Sequence, residues 1–307
     1  MFSITAEQTA ILFVMMSFGA LARGTRMFDD SSAKTLTSIV VNFTTPAIIV
    51  SAFQCAFDSS RLPALGWSFL FAAFWFAVGI AFQRLFFRAH DPVSRSLAWS
   101  VVFSNAGFMG IPLEYALFGA DGVFYGSAAI VMFNLLGWTY GVSIFRPLAD
   151  RKDMLRGLLN PANVSVALAL GLFFLPWRLP RMLSEPLRLV GEMNTVLPMF
   201  IIGYYLAGAK FLPALKTPKT YFMLFLRHLA IPSVLIAVMA PLGFVPADIR
   251  LVAVIPAAAP IGVLLTVFAV RYGGDPEFST ACVSISTLLS ILTLPVVVAL
   301  SRIVLSG

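Results

Sequence analysis

Apolar residues follow one another along this chain in long runs that short polar connections separate. Runs of about 18 apolar residues or more are typical of helices that cross a membrane. The predicted spans have approximate limits 5–22, 35–53, 66–87, 95–118, 122–145, 161–177, 187–208, 220–242, 249–270 and 278–303. The pattern therefore predicts an all-α polytopic membrane protein with ten transmembrane helices.

Composition and charge favour the same class of protein. Of the 307 residues, 59% are hydrophobic and 11% are charged, whereas about a quarter are charged in a typical soluble domain. A net charge of +7 would suggest nucleic acid as a partner of a soluble protein. Here the basic residues fall between the spans, so we expect contact with membrane lipid and not with nucleic acid. A bacterial inner (plasma) membrane location is expected, without a cleaved signal peptide.

The lysines and arginines are unevenly distributed between the connections. Most of the 21 lie in the connections after spans one, three, five, seven and nine, and fewer lie on the other side. Cytoplasmic connections of membrane proteins are the ones enriched in these residues. Both the N- and C-termini are therefore predicted to face outside.

Two short motifs recur at nearly the same spacing. Asn-x-x-x-Pro occurs at Asn42–Pro46 and again at Asn194–Pro198, and FGAD at Phe118–Asp121 is matched by YGGD at Tyr272–Asp275. The polar connection Arg146–Asn160 divides the spans five and five. A repeated unit with an odd number of spans must be inverted in the membrane. We therefore predict two inverted five-helix repeats, an organisation typical of secondary transporters.

Helix-breaking residues lie near the middle of spans four and nine, which correspond in the two predicted repeats. The predicted breakers are Gly107, Gly110, Pro112, Pro256 and Pro260. Backbone groups freed at this depth must be buried in protein or line a wet cavity. We therefore predict that the two broken helices cross at a binding site, where half-helix N-termini favour an anion. The alternative is simple kinking of each helix.

The stretch SNAGFMGIPL, which begins at Ser104, resembles the fourth-span signature of the auxin efflux carrier family, Asn-x-Gly-[Phe/Tyr]-x-Gly-Ile-Pro. The resemblance covers essentially the whole chain. The short central connection is similar to that of short bacterial members, several of which carry malate, malonate or related organic acids. The resemblance implies a fold like that of the plant auxin exporters and the bile acid sodium symporters, in which helices 4 and 9 cross within a mobile core.

The same resemblance implies a division of the chain into scaffold and core. The scaffold helices 1–2 and 6–7 fall in residues 1–62 and 161–218, and the core helices 3–5 and 8–10 fall in residues 63–145 and 219–307. A cytoplasmic linker, 146–160, joins the halves. The resemblance further implies an elevator-like movement of the core and a homodimer through scaffold helices 2 and 7.

The candidate substrate-binding residues are small or carry a side-chain amide. Asn105 can donate to a carboxylate or cap the following half-helix. For the small residues the alternative is close helix packing, and for the other asparagines it is a hydrogen bond between helices. The full set is Asn105, Ala106, Gly107, Gly110, Ala258, Pro260, Ile261, Gly262, Asn42, Asn194 and Asn134.

Ionisable residues are scarce within the predicted spans, and three of them are candidates for function. Arg227, His228 and Glu114 are candidates for gating or for a proton-linked role. The alternative for Arg227 is snorkelling to the membrane surface, and that for Glu114 is an interfacial position. Because no carboxylate stands beside Ser104 and Asn105, proton coupling or uniport is favoured over sodium coupling.

Other chemistry is not indicated by the sequence. Cys55 and Cys282 are isolated, which predicts neither a disulfide nor a metal site, and the chain has no nucleotide loop or catalytic constellation. We therefore expect no enzyme activity, no catalytic residue, no metal and no cofactor. The leading hypothesis is a secondary or facilitative transporter of a small organic anion. The alternatives are a membrane receptor that binds such a ligand without moving it, and a sodium-coupled symporter similar to those for bile acids.

Overall fold

The computed structural model describes residues 2–55, 58–59, 61–146, 155, 159–175 and 178–305, and this part of the chain is helical, with a single isolated β-bridge. The helices of the first half are α1 (Phe2–Gly24), α2 (Asp30–Ile39), α3 (Thr45–Ala52), α4 (Arg61–Phe86), α5 (Pro92–Val102), α6 (Ile111–Leu136) and α7 (Val142–Phe145). Those of the second half are α8 (Pro161–Phe174), α9 (Arg181–Ala207), α10 (Leu212–Leu215), α11 (Pro218–Phe225), α12 (Ile231–Met239), α13 (Ala247–Ala258), α14 (Leu264–Tyr272) and α15 (Pro276–Leu305).

Four wider, π-helical turns interrupt or precede these helices. Such turns are often found at functional positions. They join α2 to α3, lead into α6, join α6 to α7 and join α11 to α12, at Val40–Thr44, Ala106–Gly110, Gly137–Gly141 and Leu226–Ala230.

The helical stretches of the described residues include seven that are long and apolar enough to cross a membrane. They are Ile4–Gly24, Asp30–Ala52, Arg61–Phe86, Ala106–Phe145, Arg181–Ala207, Pro218–Met239 and Pro276–Leu305. Large apolar side chains such as Phe18, Leu85 and Leu292 are exposed on them, as suits contact with lipid. An all-helical, multi-pass membrane protein is thus confirmed, whereas the count of ten spans, the repeats and the outward termini stay predictions.

The stretches are fewer than the ten predicted spans partly because one of them contains a reversal of the chain. The stretch Ala106–Phe145 contains Gly119 with a φ of 61°, where the chain reverses between two arms of α6, 111–118 and 120–136. Gly273 has a φ of 79° just after α14. Glycine adopts this conformation without the steric cost that a Cβ brings. Both glycines stand in the recurring FGAD and YGGD motifs, which favours the predicted repeat.

Helices that are predicted to form the scaffold pack with their backbones in contact. Gly19 of α1 lies against the backbone of Phe200, and Gly203 of α9 lies against the backbone of Met16. A Cβ at either glycine would overlap the facing helix, so these positions require glycine. The division into scaffold and core itself stays a prediction, and most of the predicted linker 146–160 lies outside the described residues.

Candidate functional site

The two broken helices pair with each other through their backbones. After α5 ends at Val102, and after α13 ends at Ala258, a few residues leave helical geometry. The N–H of Asn105 donates to the carbonyl of Pro260 at 2.6 Å, and the N–H of Gly262 donates to the carbonyl of Phe103 at 3.1 Å. Each break thus pairs backbone N–H and C=O groups that the other break leaves without a partner. Such pairing is necessary because the membrane interior offers no water for hydrogen bonds.

The breaks lie beside most of the predicted breakers, which corrects their assignment. Gly107 and Gly110 belong to the π-helical turn that follows the first break, and Pro112 lies in the first turn of α6. A proline is tolerated there because its missing N–H has no acceptor within the helix. Pro256 lies inside α13, which continues to Ala258. Of the five predicted breakers, Pro260 is the one that stands in a break.

Arg227 holds the C-terminal ends of both broken helices. Its Nη1 donates to the carbonyls of Val101 and Val102 at 3.3 Å each, and its Nη2 donates to the carbonyl of Ala257. These carbonyls are among those that a helix leaves unpaired at its C-terminus, where a positive charge is also favourable. The side chain is fully buried and its guanidinium carbon lies 5.3 Å from the centre of the Trp75 ring. The alternative of snorkelling is therefore wrong.

His228 supports the second break through a serine. Its Nε2 lies 2.7 Å from the Oγ of Ser286, and its Nδ1 lies 2.9 Å from the Oγ1 of Thr293. The same Ser286 Oγ accepts the N–H of Ile261 at 2.9 Å. Arg227 and His228 are thus both buried. Neither residue lines the cavity described next.

A cavity of about 200 Å³ lies at the other side of the crossing, where the second half-helices begin. Its polar lining residues are Thr37, Thr45, Ser104, Asn105, Asn134 and Asn160, and its aromatic ones are Phe108, Phe133 and Trp138. Gly107 and Gly262 also line it. None of the described lining residues carries a charge. The cavity is therefore mainly apolar, with amides and hydroxyls at a few points.

Asn105 presents an unused donor in this cavity. Its Oδ1 accepts the N–H of Phe108 at 3.2 Å and so caps the following half-helix. Its Nδ2 is buried and has no hydrogen-bond partner among the described residues. A buried donor without a partner is costly, and a ligand oxygen would remove that cost. The two roles considered for Asn105, capping and contact with a substrate, are compatible because they use different atoms.

The other asparagines are differently placed. Asn134 lines the cavity, and its Nδ2 donates to the Oδ1 of Asn163 at 3.0 Å. Asn194 is fully buried away from the cavity. Its Oδ1 accepts from the hydroxyls of Thr44 and Thr45, and its Nδ2 has no partner among the described residues. Asn42 is exposed, and its Nδ2 donates to Ser38. The structure thus brings Asn134 to the site, whereas Asn194 ties two helices together and Asn42 lies outside.

The remaining candidates are packed within the crossing and do not line the cavity. They are Ala106, Gly110, Ala258, Pro260 and Ile261. Glu114 lies elsewhere, on the arm 111–118, where it is 1% exposed and therefore enclosed by protein. Sequence reasoning missed Thr37, Phe133 and Trp138, because an isolated threonine or aromatic residue within a span carries no signal.

Hydrogen bonds at the start of α5 fix the N-terminal end of this helix, which is the first half of one crossing helix. The Asp91 carboxylate accepts the backbone N–H groups of Val93 and Ser94 at 3.0 Å each, and the Ser94 hydroxyl accepts the N–H of Asp91. These bonds favour the ionised carboxylate, so the pKa of Asp91 lies below its ordinary value. This reciprocal pairing is a capping box.

Comparison with known proteins agrees with this architecture. Two segments of the chain, residues 4–154 and 147–298, match the model of a family described as membrane transport protein. The chain is 24% identical to an uncharacterised transporter of Methanothermobacter thermautotrophicus, over 95% of this chain and 96% of that protein. It is 21% identical to auxin efflux carrier component 8 of Arabidopsis thaliana, over 93% and 94% of the two chains. The chain therefore belongs to the membrane transport protein family, which is the family of the auxin efflux carriers.

Proposed function

We propose that this protein is a secondary transporter that carries a small organic anion across the membrane. The observation that carries the proposal is the Nδ2 of Asn105, a buried donor without a partner in a cavity where two half-helices begin. Helix N-termini carry partial positive charge, so this point of the cavity favours a carboxylate. The comparisons support a role in transport, and the geometry supports an anion.

The lining of the cavity favours one carboxylate on an apolar body. The described lining residues include no lysine or arginine to pair a second carboxylate, and Phe108, Phe133 and Trp138 offer aromatic surface. Aromatic pairs prefer stacked or edge-to-face contacts that add to the effect of burial. We therefore favour a monocarboxylate with an aromatic body, similar to an auxin, over malate or malonate.

An elevator-type movement is the mechanism that we propose. Thr37 and Thr45 line the cavity from helices assigned to the scaffold, and Asn105 and Gly262 line it from the crossing. A ligand at this boundary contacts both parts, and movement of one against the other would carry it. Thr37 and Asn160 lie near the helix ends that adjoin connections predicted to be cytoplasmic. We thus propose that the cavity communicates with that side.

The predicted homodimer and plasma membrane location belong to the same proposal. Pairing through the second and seventh spans would cover apolar side chains that are exposed in the single chain, such as Phe43, Leu189 and Val196. Cysteines introduced at Leu189 would then form a crosslink between two copies in membranes. Absence of that crosslink, with efficient crosslinking of a control cysteine pair placed across the contact of α1 and α9 within one chain, would contradict the dimer alone.

The test is a thermal-shift screen followed by flux in proteoliposomes. The acids are indole-3-acetate, phenylacetate, malate and malonate, each with and without sodium. Asn105→Asp keeps an acceptor for the Phe108 N–H but removes the amide donor, so we expect binding to weaken at least tenfold while the protein remains folded. Asn42→Asp is the matched control, because that amide is exposed and lies outside the cavity.

Each outcome of this experiment has a meaning. Binding and flux of the aromatic acids that Asn105→Asp removes and Asn42→Asp retains would support the proposal. Binding without flux would indicate a receptor instead. Equal affinity in the wild type and in Asn105→Asp would remove Asn105 from the site.

A further inference from the structure

The ionisable side chains that are buried around the crossing differ in whether the protein satisfies them. Arg227 donates to three carbonyls, although its Nε has no partner among the described residues, and His228 makes hydrogen bonds through both ring nitrogens. Glu114 is equally buried, yet its Oε1 has no hydrogen-bond partner and the carboxylate has no ion pair among the described residues. An ionisable residue at membrane depth without a partner is a candidate for function.

The fold provides a seat for this carboxyl group. Glu114 lies on the arm 111–118, which folds back against the arm 120–136 at Gly119. The carboxylate lies against Gly126, where a Cβ would overlap both of its oxygens, and Gly122 is in contact with the carbonyl of Glu114. Gly122 thus allows the two arms to approach closely, and Gly126 leaves a space that the Glu114 side chain fills.

A second unpaired group lies near the same seat. A void of about 10 Å³ borders Gly126, and Ser68, Trp75 and Tyr125 line it as well. This is about the volume that one water molecule requires. The Nε1 of Trp75 is buried and has no partner among the described residues. The void and the Glu114 carboxylate are therefore both adjacent to Gly126.

The void also leads toward the surface of the protein. Tyr125 lines it and is itself only partly buried. Close to Tyr125, Arg61 forms an exposed ion pair with Asp121 at 2.9 Å. The void thus lies between Gly126 and a partly exposed side chain.

Other charged groups on the neighbouring helices have a partner or are exposed, with the exception of Arg302 of α15, which is partly buried. Arg61 of α4 pairs with Asp121, and Arg188 of α9 pairs with Glu192. Arg250 of α13 donates to the carbonyl of Met239 at 3.2 Å. Glu7 of α1 is exposed, α3 and α8 have no charged residue, and Asp248 lies at the start of α13, away from the arms.

We propose that Glu114 binds a proton that is carried together with the organic anion. This inference rests on the proposed function. Glu114 is on the same half-helix as Asn105, nine residues further on, or about 13 Å at 1.5 Å per residue, so a movement of the bound anion moves the carboxyl as well. The proton comes from water on one side and returns to water on the other. One proton with one monocarboxylate transfers no net charge.

A proton fits this seat better than a metal cation. Metal cations that prefer oxygen take several oxygen ligands, and the described residues contain no group of three acidic, histidine or cysteine side chains that would hold a metal ion. The Glu114 carboxyl lies against Gly126, and its Oε1 has no hydrogen-bond partner among the described residues. A single carboxyl suffices for a proton.

The test measures accumulation of substrate in proteoliposomes under a pH gradient. The probe is radiolabelled indole-3-acetate or phenylacetate, whichever stabilises the purified protein more, with protein-free liposomes to subtract passive entry. For the wild type we expect accumulation that depends on the gradient and an accompanying proton flux, read with a trapped pH-sensitive dye. Glu114→Gln mimics the protonated form, so it should retain binding and exchange of labelled for unlabelled acid but lose at least tenfold in gradient-driven accumulation.

Control variants separate this inference from the proposed function. Glu7→Gln removes an exposed acid from α1 and should behave as the wild type. Glu114→Asp keeps a carboxyl and should retain proton flux with a displaced pH dependence, which provides a second test if Glu114→Gln does not fold. Gradient-driven accumulation by Glu114→Gln, or a wild type whose uptake moves no protons, would overturn the inference. Absence of exchange in the wild type would instead count against the proposed function.

Discussion

The helix crossing has one side where two helices end and another side where two helices begin, and polar groups are paired differently on the two sides. Where α5 and α13 end, Arg227 supplies donors to the carbonyls from within the protein. Where the second half-helices begin, Asn105 caps the turn with its oxygen and leaves its nitrogen unused beside a cavity. The carbonyls at these helix ends are thus paired from within the protein, whereas the unpaired Nδ2 of Asn105 borders a cavity that is large enough for a ligand.

The largest expected effect comes from breaking the satisfied side. Arg227→Met leaves the carbonyls of Val101, Val102 and Ala257 buried without their donor. Loss of one partner of a buried charged interaction costs about 3–5 kcal/mol, so we expect a large fall in thermal stability in detergent. Arg227→Lys should recover part of it. Arg88→Met, at an exposed arginine, is the control. Equal melting temperatures of Arg227→Met and this control would show that the guanidinium does not hold the crossing.

A smaller effect is expected for the serine at the second break. Ser286→Ala removes the acceptor of the Ile261 N–H and one partner of His228. A buried polar group left unsatisfied costs about 1–3 kcal/mol, so stability should fall by that amount. Ser284→Ala, at a neighbouring position of α15, is the matched control. A fall of the same size in Ser284→Ala would mean that the hydrogen bonds of Ser286 are unimportant.

On the side of the crossing that borders the cavity, the prediction concerns ligand affinity and not the stability of the protein. Trp138→Leu keeps an apolar wall but removes an aromatic ring from the cavity. Aromatic pairs contribute about 0.5–1.5 kcal/mol beyond burial, so affinity for indole-3-acetate should weaken by roughly threefold to tenfold, measured by titration. Leu135→Ala, at an exposed residue of the same helical stretch, should leave affinity unchanged. An unchanged affinity in Trp138→Leu would contradict an aromatic substrate.

The smallest effect is expected at the exposed end of α5, far from the crossing. Asp91→Ala removes a helix cap, which typically costs about 1 kcal/mol. The pKa of Asp91 is lowered in the folded protein from its ordinary value of 3.8. The contribution of this carboxylate is therefore present above that value and is lost as the pH falls through the lower folded pKa. The difference in melting temperature between wild type and variant should shrink as the pH falls below 3.8, and a constant difference would exclude the carboxylate as its source.

The sequence allowed the class of the protein, its family and the presence of two paired breaks to be predicted, because long apolar runs and helix breakers are local signals. The exact place of each break was not predictable in this way. Pro256 remains within a helix, since whether a proline ends a helix depends on what satisfies the freed carbonyl. The partners of Arg227 were missed for a related reason, as they lie more than 100 residues away in one direction and 30 in the other.

The cavity walls were the least predictable part of the site. Thr45 stands within the recurring Asn-x-x-x-Pro motif, whereas Thr37 and Trp138 are brought to the cavity by packing between distant helices. The amide of Asn194 illustrates the same limit. Its residue type and depth were consistent with either a ligand or a helix contact. The two threonine hydroxyls that donate to its Oδ1 are identified only by the three-dimensional structure.

The bridge between Ser104 and Ile261 has a consequence for biosynthesis. The strand-like segments that pair there are far apart in the chain, and Arg227 is translated long after the carbonyls of α5 that it holds. In a nascent chain that ends before α13, the first break therefore lies in the membrane without the second break that pairs with it. We expect that the first half alone is recognised by membrane quality control, and that the carrier acquires its working centre only late in translation.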